Sequence, residues 1–279
     1  MWGLLPLYWK ALLAVPALEV LCHRAAWSFV FLLPVALFAG RAGELLRACA
    51  SLRVLVWLCA SAAMLSVNWL IFIWAVLHDR VLETSLGYYI NPLLNMCAGV
   101  ILFREQPSRA QWIAIALAVC GVAGQILLLG TVPWVALSLG GTFCIYGLLR
   151  KAAPVASLPG LCIETALMLP FALGFILHTL HGGASSFSLA TGMATQTMLL
   201  AGSGLVTSIP LLLFAHGVRN ISLITLGIMQ YVSPSISFLL GVFWFHETFT
   251  TAHALSFSCI WLALALYSID GMRAHGRRN

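Results

Sequence analysis

The chain has 279 residues, of which 62% are hydrophobic and only 8% are charged, and its mean hydropathy is +1.01. Soluble domains carry about 25% charged residues, so this composition excludes a soluble globular protein and predicts an integral membrane protein. The net charge of +6 is explained by arginines in loops between membrane helices and does not indicate nucleic-acid binding.

Ten apolar segments, separated by charged residues, Pro and Gly, predict ten transmembrane helices and an all-α integral membrane fold. The chain has no cleavage site followed by a soluble domain, so all of it is expected to form the membrane domain. The first segment is short, because 14 residues of helix reach about 21 Å against a hydrocarbon core of about 30 Å. The predicted segments are 1–14, 17–39, 54–77, 84–103, 110–129, 131–149, 160–180, 196–217, 222–245 and 252–270.

The basic residues are distributed unequally between the two predicted sides of the membrane. One side has only Lys10 and Arg80, while Arg24 lies inside the second segment. Because positively charged loops stay in the cytoplasm, both termini are predicted to be cytoplasmic, with 271–279 as a basic tail. The other side collects Arg41, Arg47, Arg53, Arg104, Arg109, Arg150, Lys151, Arg219, Arg273, Arg277 and Arg278.

The fourth segment carries polar residues and a proline near its centre. Pro92 removes a backbone donor, so it predicts a kink and frees the carbonyl of Tyr88. Tyr88, Asn91 and Asn95 lie three and four residues apart and therefore share one helix face. We name this face the polar stripe and predict that it lines a binding cavity.

The same pattern recurs 142 residues later in the ninth segment. Pro92, Gly99 and Glu105 match Pro234, Gly241 and Glu247. The polar stripe matches Gln230, Ser233 and Ser237, which are predicted to face it across a central cavity. Repeats of five segments enter the membrane in opposite senses, so an inverted repeat is predicted, with 1–129 as the first half and 131–270 as the second.

Ionisable residues inside membrane helices are costly and each requires an explanation. Glu19 and His23 are four residues apart on one face of the second segment, with Arg24 beside them. Two interpretations stay open. These residues could pair with one another and tie helices together, or they could offer charge to a substrate and exchange a proton during transport.

Glu164 and Asn68 are two further polar candidates. Glu164 lies near the start of the seventh segment, where it either guards one mouth of the pathway or is a first-turn acid favoured by the helix dipole. Asn68 in the third segment forms either a helix-to-helix hydrogen bond or part of the cavity. Glu105 and Glu247 oppose the dipole at their helix ends, so each is expected to have a partner or to be exposed.

Signatures of other functional classes are weak. The chain contains no H-E-x-x-H or G-x-S-x-G motif, and Gly202-Ser203-Gly204 lacks the lysine of a phosphate-binding loop. The eight cysteines form no C-x-x-C pair and are interpreted as small apolar residues. No enzyme, metal or cofactor is therefore predicted.

Several motifs resemble the RarD family of EamA-type permeases in the drug/metabolite transporter superfamily. The resemblance implies ten helices in two inverted repeats, a location in the bacterial inner membrane, and movement of a small organic solute. Members of this family carry one or two more turns before the first motif, so the first helix is expected to be truncated here. The motifs are WGLLPLYWK at 2–10, VPALEVLCHRAAWS at 15–28, NWLIFIWAV at 68–76, ETSLGYYINPL at 83–93, LLRK at 148–151, TLGIMQYVSPSISFLLGVF at 225–243 and IWLALALYSIDG at 260–271.

The sequence thus predicts a secondary transporter that works by alternating access in the bilayer, with protons as the coupling ion. Its solute would contact the polar stripe, the matching residues of the ninth segment, Asn68 and Arg24. Glu19, His23, Glu164, Pro92 and Pro234 are predicted to act in coupling or gating. The alternatives are a receptor or assembly partner with a vestigial cavity and a lipid-modifying enzyme, although the titratable groups are too scattered to favour the enzyme.

Overall fold

A computed structural model describes residues 2–103, 108–183, 185–187, 194–220 and 232–276, and every regular element among them is helical. The protein is an all-α integral membrane protein. Five described helices are long and apolar enough to cross a membrane, and three shorter apolar helices accompany them. The α-helices are α1 Leu5–Lys10, α2 Ala17–Phe38, α3 Ala42–Cys49, α4 Leu52–Leu77, α5 Val81–Phe103, α6 Arg109–Leu129, α7 Trp134–Ala152, α8 Ser157–His181, α9 Ala194–Asn220, α10 Val232–Leu239 and α11 Thr251–Gly276.

The first predicted segment, 1–14, is shorter in the structure. A 3₁₀ turn over Trp2–Leu4 leads into α1, which ends at Lys10, and turns follow up to Val15. The α-helical part therefore covers six residues. This confirms a shortened first helix and corrects its extent.

Two other features differ from the sequence-based prediction, and one predicted segment is only partly described. Helix α3 was not predicted, because it is a short amphipathic helix that buries Ala48 and exposes Arg47. Helix α11 runs to Gly276 and so includes most of the predicted tail. The predicted segment 222–245 is described from Val232 onward, as α10 followed by a π-helical turn over Leu240–Trp244.

The chain forms two compact units, which interleave along the sequence. The first unit contains residues 1–77 and 145–220, and the second contains 78–144 and 221–279. This division by contacts differs from the predicted repeats, which are defined by sequence similarity. The inverted repeat and the count of ten helices stay predictions.

In the first unit, α2 packs against α8 and α9, and α4 packs against α2 and α8. The contact between α2 and α9 depends on Gly204, because a Cβ atom there would lie 2.3 Å from the backbone carbon of Trp27. Such a distance is far below van der Waals contact, so a glycine is needed at this crossing. Close backbone approach at small residues is typical of membrane helices.

In the second unit, α5 packs against α10, and α6 packs along α11. Its core contains Leu86, Tyr89, Phe257 and Ile260. The Glu247 carboxylate accepts hydrogen bonds from the backbone N–H groups of Val81 (2.6 Å) and Leu82 (2.9 Å) at the start of α5. Glu247 therefore has the partner that the sequence left open, whereas Glu105 lies outside the described residues.

Candidate functional site

Helix α2 carries the three ionisable residues that the sequence singled out, and all three are buried. Its first turn begins after Pro16, so Glu19 lies near the start of the helix and Arg24 lies deeper. The exposed fraction is 1% for Glu19 and 4% for Arg24. Buried charges in apolar helices require specific partners, because desolvation is costly.

The Glu19 carboxylate is held by a short segment that follows α8. Its Oε1 atom accepts hydrogen bonds from the Ser186 backbone N–H (2.8 Å) and the Ser185 hydroxyl (3.1 Å), and its Oε2 atom accepts one from the Ser186 hydroxyl (3.0 Å). Neither serine can be recognised as a partner of Glu19 from the sequence, because both lie more than 160 positions away in a Gly/Ser-rich run.

His23 lies one helical turn after Glu19 and contacts the same segment. Its ring stacks on Phe187, with ring centroids 4.8 Å apart and an interplanar angle of 22°. Both ring nitrogens of His23 are buried and have no hydrogen-bond partner among the described residues. The imidazole is therefore placed by ring stacking.

Arg24 lies between two indole rings. Its guanidinium carbon is 3.9 Å from the ring centre of Trp69 on α4 and 5.1 Å from that of Trp9. Cation–π contacts of this kind are worth about 2 kcal/mol or more when they are desolvated. Asn68, the neighbour of Trp69, is buried as well.

Glu164 is the centre of a second polar cluster in the same unit. Its exposed fraction is 0%, and it accepts hydrogen bonds from the hydroxyls of Ser61 on α4 and Tyr146 on α7, the latter at 3.4 Å. The Nε atom of Arg150 lies 3.6 Å from its Oε1 atom. We name Ser61, Tyr146, Arg150 and Glu164 the carboxylate cluster.

The position of Glu164 corrects one sequence-based interpretation. Helix α8 begins at Ser157 and has no acidic residue in its first turn, so Glu164 lies about two turns inside the helix. The helix dipole acts within the first turn and does not explain a buried acid at this depth. The sequence signal for its partners was the four-residue spacing of Tyr146 and Arg150, which places them on one face of α7.

The polar stripe belongs to the second unit. The Tyr88 ring meets the Phe143 ring edge-on, with centroids 6.1 Å apart. Asn91 is buried, and its Oδ1 atom has no hydrogen-bond partner among the described residues. The Asn95 and Pro92 side chains lie outside the described side chains, although α5 is helical through both positions.

The matching residues of the ninth segment are partly described. On α10, Ser237 and Pro234 are buried and Ser233 is half-buried. Gln230 lies outside the described residues.

A cavity of about 510 Å³ lies between α5, α10 and α11 in the second unit. The Tyr89 and Ser235 hydroxyls, which are hydrogen-bonded to each other, lie in its wall. Among the described residues, its lining contains no member of the polar stripe. Its lining residues are Tyr89, Ser235, Phe238, Leu239, Trp261, Leu264, Ala265 and Ser268.

Comparison with known proteins agrees with this architecture. Residues 1–127 match the model of the EamA-like transporter family. A Bacillus subtilis protein named "Uncharacterized transporter YojE" is 40% identical, over 98% of this chain and 91% of its own length. The Pseudomonas aeruginosa "Chloramphenicol-sensitive protein RarD" is 33% identical, over 96% of this chain and 90% of its own length.

One solved structure, titled only "Crystal structure of protein", shares the fold with a TM-score of 0.60 and 21% sequence identity. The alignment covers 98% of this chain and 94% of the other. Together, the apolar helices, the buried polar residues and the family match define a multi-pass membrane transporter. The chain belongs to the RarD family of EamA-type permeases in the drug/metabolite transporter superfamily.

Proposed function

We propose that this protein moves a small organic solute across the bacterial inner membrane by alternating access and that protons drive the movement. One observation carries the proposal: two apolar membrane helices each bury a carboxylate, Glu19 on α2 and Glu164 on α8. A carboxylate inside a membrane helix is a costly group and is typical of proton pathways in transporters. The sequence contains no nucleotide-binding motif, so the driving force is either an ion gradient or the solute's own gradient, and the buried carboxylates favour a proton gradient.

The proposed solute contacts follow from the polar groups in each unit. In the second unit we assign the polar stripe together with Gln230, Ser233 and Ser237. The Oδ1 atom of Asn91 supports this assignment, because a buried acceptor without a partner costs about 1–3 kcal/mol and can be satisfied by a solute donor. In the first unit we assign Arg24 and Asn68, and we assign His23 to proton coupling beside Glu19.

The proposed location and orientation have separate support. The relatives described above come from bacteria. The excess of basic residues on one side supports a cytoplasmic position for both termini under the positive-inside rule.

The test is transport by the full chain reconstituted in liposomes with an imposed pH gradient. Radiolabelled chloramphenicol is a suitable first probe because of the Pseudomonas relative's name. A small-molecule extract of bacterial cells, read by mass spectrometry on both sides of the membrane, extends the search to other solutes. Accumulation of a solute that disappears when a protonophore collapses the gradient is the expected result.

Replacing Glu164 by glutamine should abolish gradient-driven accumulation while leaving downhill movement of the probe, because an amide neither takes up nor releases a proton. Glu44→Gln on α3 is the matched control, since Glu44 is partly exposed and pairs with Arg41, the residue that precedes α3. If Glu164→Gln accumulates the probe as well as the parent does, proton coupling through Glu164 is wrong.

A further inference from the structure

The Arg150 guanidinium joins two elements of the first unit. Its Nε atom lies 3.6 Å from the Glu164 carboxylate, while its second terminal nitrogen donates to the carbonyls of Ala156 (3.5 Å) and Ser157 (3.4 Å). These carbonyls flank the start of α8. One side chain from the end of α7 therefore contacts both the buried acid and the beginning of the helix that carries it.

Gly160 makes this arrangement possible. A Cβ atom at position 160 would lie 1.9 Å from one terminal nitrogen of Arg150 and 2.6 Å from its guanidinium carbon. A side chain at position 160 would require the guanidinium to move, so the absence of a Cβ atom lets the guanidinium lie directly against the first turn of α8. Only 15% of the Arg150 side chain is exposed, which keeps its contact with Glu164 largely shielded from water.

Few charged groups of the described residues act on Glu164. Among the described residues, the groups that act on its carboxyl are Arg150 and Tyr146 from α7 and the uncharged Ser61 from α4. Helices α2, α3 and α9 also pack on α8, but they contribute no charged group to Glu164 within the described part of the chain. An arginine does not lose its proton in proteins and a tyrosine hydroxyl is neutral at neutral pH, so any change of charge in this cluster near neutral pH falls on Glu164.

We propose that Arg150 is a positioning residue that links protonation of Glu164 to the connection between α7 and α8. Ionised Glu164 and Arg150 form a neutral pair that holds the two helices together. When a proton binds to the carboxylate, the pair carries one positive charge and its attraction is lost. The guanidinium then keeps only its hydrogen bonds to the carbonyls of Ala156 and Ser157. The residues between Ala152 and Ser157 are therefore no longer held to Glu164 through Arg150. This inference rests on the proposed proton coupling.

The test reads the proton on Glu164 directly and needs no solute. Infrared spectra of the reconstituted full chain are recorded over a pH series, and the carboxyl band of Glu164 is assigned by its loss in Glu164→Gln. In Arg150→Gln the band should appear at a proton concentration at least about tenfold lower than in the parent, because an opposite charge nearby favours the ionised form. Arg150→Lys should restore much of the difference, since lysine keeps the charge and loses the fork geometry.

Two further variants complete the test. Arg47→Gln is the matched control, because Arg47 is exposed and bonds to Gly43 within α3. Gly160→Ala displaces the guanidinium without changing any charge, so it should shift the band in the same direction even if Arg150→Gln does not fold. An unshifted band in both Gly160→Ala and folded Arg150→Gln would overturn the proposal.

The infrared and transport experiments test the role of Arg150 and the proposed proton coupling separately. An unshifted band combined with lost accumulation in Glu164→Gln would refute the role of Arg150 and support proton coupling. A shifted band combined with normal accumulation in Glu164→Gln would support the contact between Arg150 and Glu164, but it would refute its part in transport.

Discussion

At the scale of single residues, each buried ionisable group in the first unit is held by a different kind of contact. Glu19 accepts hydrogen bonds from two serines, Arg24 lies between indole rings, and Glu164 combines hydroxyl donors with an ion pair. Removing one partner of such a buried group costs more than the net value of the contact, because the other partner stays desolvated. These residues are therefore sensitive to substitution whether or not they act in transport.

The glycine at the crossing of α2 and α9 allows a sharp residue-scale prediction. Gly204→Ala should lower the free energy of unfolding by about 1–3 kcal/mol, because the added Cβ would overlap the backbone at Trp27. Gly174→Ala in α8 is the control, since a Cβ there meets no atom within 4 Å. Thermal unfolding of both variants in detergent measures the difference. Equal midpoints for the two would contradict the close approach at Gly204.

At the scale of elements, the start of α5 depends on an acid from a distant part of the chain. A helix leaves its first N–H groups without partners, and Glu247 accepts hydrogen bonds from two of them. Its negative charge also lies at the positive end of the helix dipole. These hydrogen bonds connect Glu247, which follows the π-helical turn, to the start of α5, the helix that carries the polar stripe.

Glu247→Ala should therefore lower the free energy of unfolding by about 0.5–2 kcal/mol, the usual range for loss of an N-terminal cap. Glu247→Gln should lower the free energy of unfolding by less, because the amide keeps one acceptor oxygen. Glu44→Ala, which removes a partly exposed pair with Arg41, should change stability by about 0–1 kcal/mol. Unfolding midpoints measured in one detergent compare the three variants, and a Glu247→Ala midpoint equal to that of the parent would exclude a stabilising cap.

At the scale of the whole molecule, sequence similarity and spatial packing divide the chain differently. The predicted repeats divide it near residue 130, whereas the compact units interleave. The two helices matched by the repeat, α5 and α10, pack against each other in one unit, with Tyr89 and Ser235 hydrogen-bonded between them. A shared solute site on these two helices stays a prediction.

Asn91→Leu and Gln230→Leu test that prediction. Each should reduce accumulation of the transported probe about fivefold or more, because a leucine cannot provide the hydrogen bond and one such bond is worth about 1–3 kcal/mol. Thr179→Val is a control for a polar-to-apolar change, since the Thr179 hydroxyl bonds to Ile176 within α8. If both leucine variants insert normally into the membrane and transport the probe as well as the parent does, the central-cavity assignment is wrong.

The sequence located the candidate ionisable residues but not their surroundings. Glu19, His23, Arg24 and Glu164 stand out because ionisable residues are rare in apolar segments, a property that can be read at each position. Their contacts with Ser186, Phe187, Trp69 and Arg150 join positions that lie far apart in the chain. Such contacts depend on how helices cross, and no local pattern encodes a crossing.

By itself, the sequence determined the all-helical membrane class and the family. Both follow from local properties, since hydropathy adds up along each segment and the family motifs are short. Only the tertiary structure decided that α1 is six residues long, that Glu164 lies inside α8 rather than in its first turn, and that Arg150 lies against Gly160. The physical reason is packing: the position of a side chain in a folded protein is set by close contact with residues from other helices.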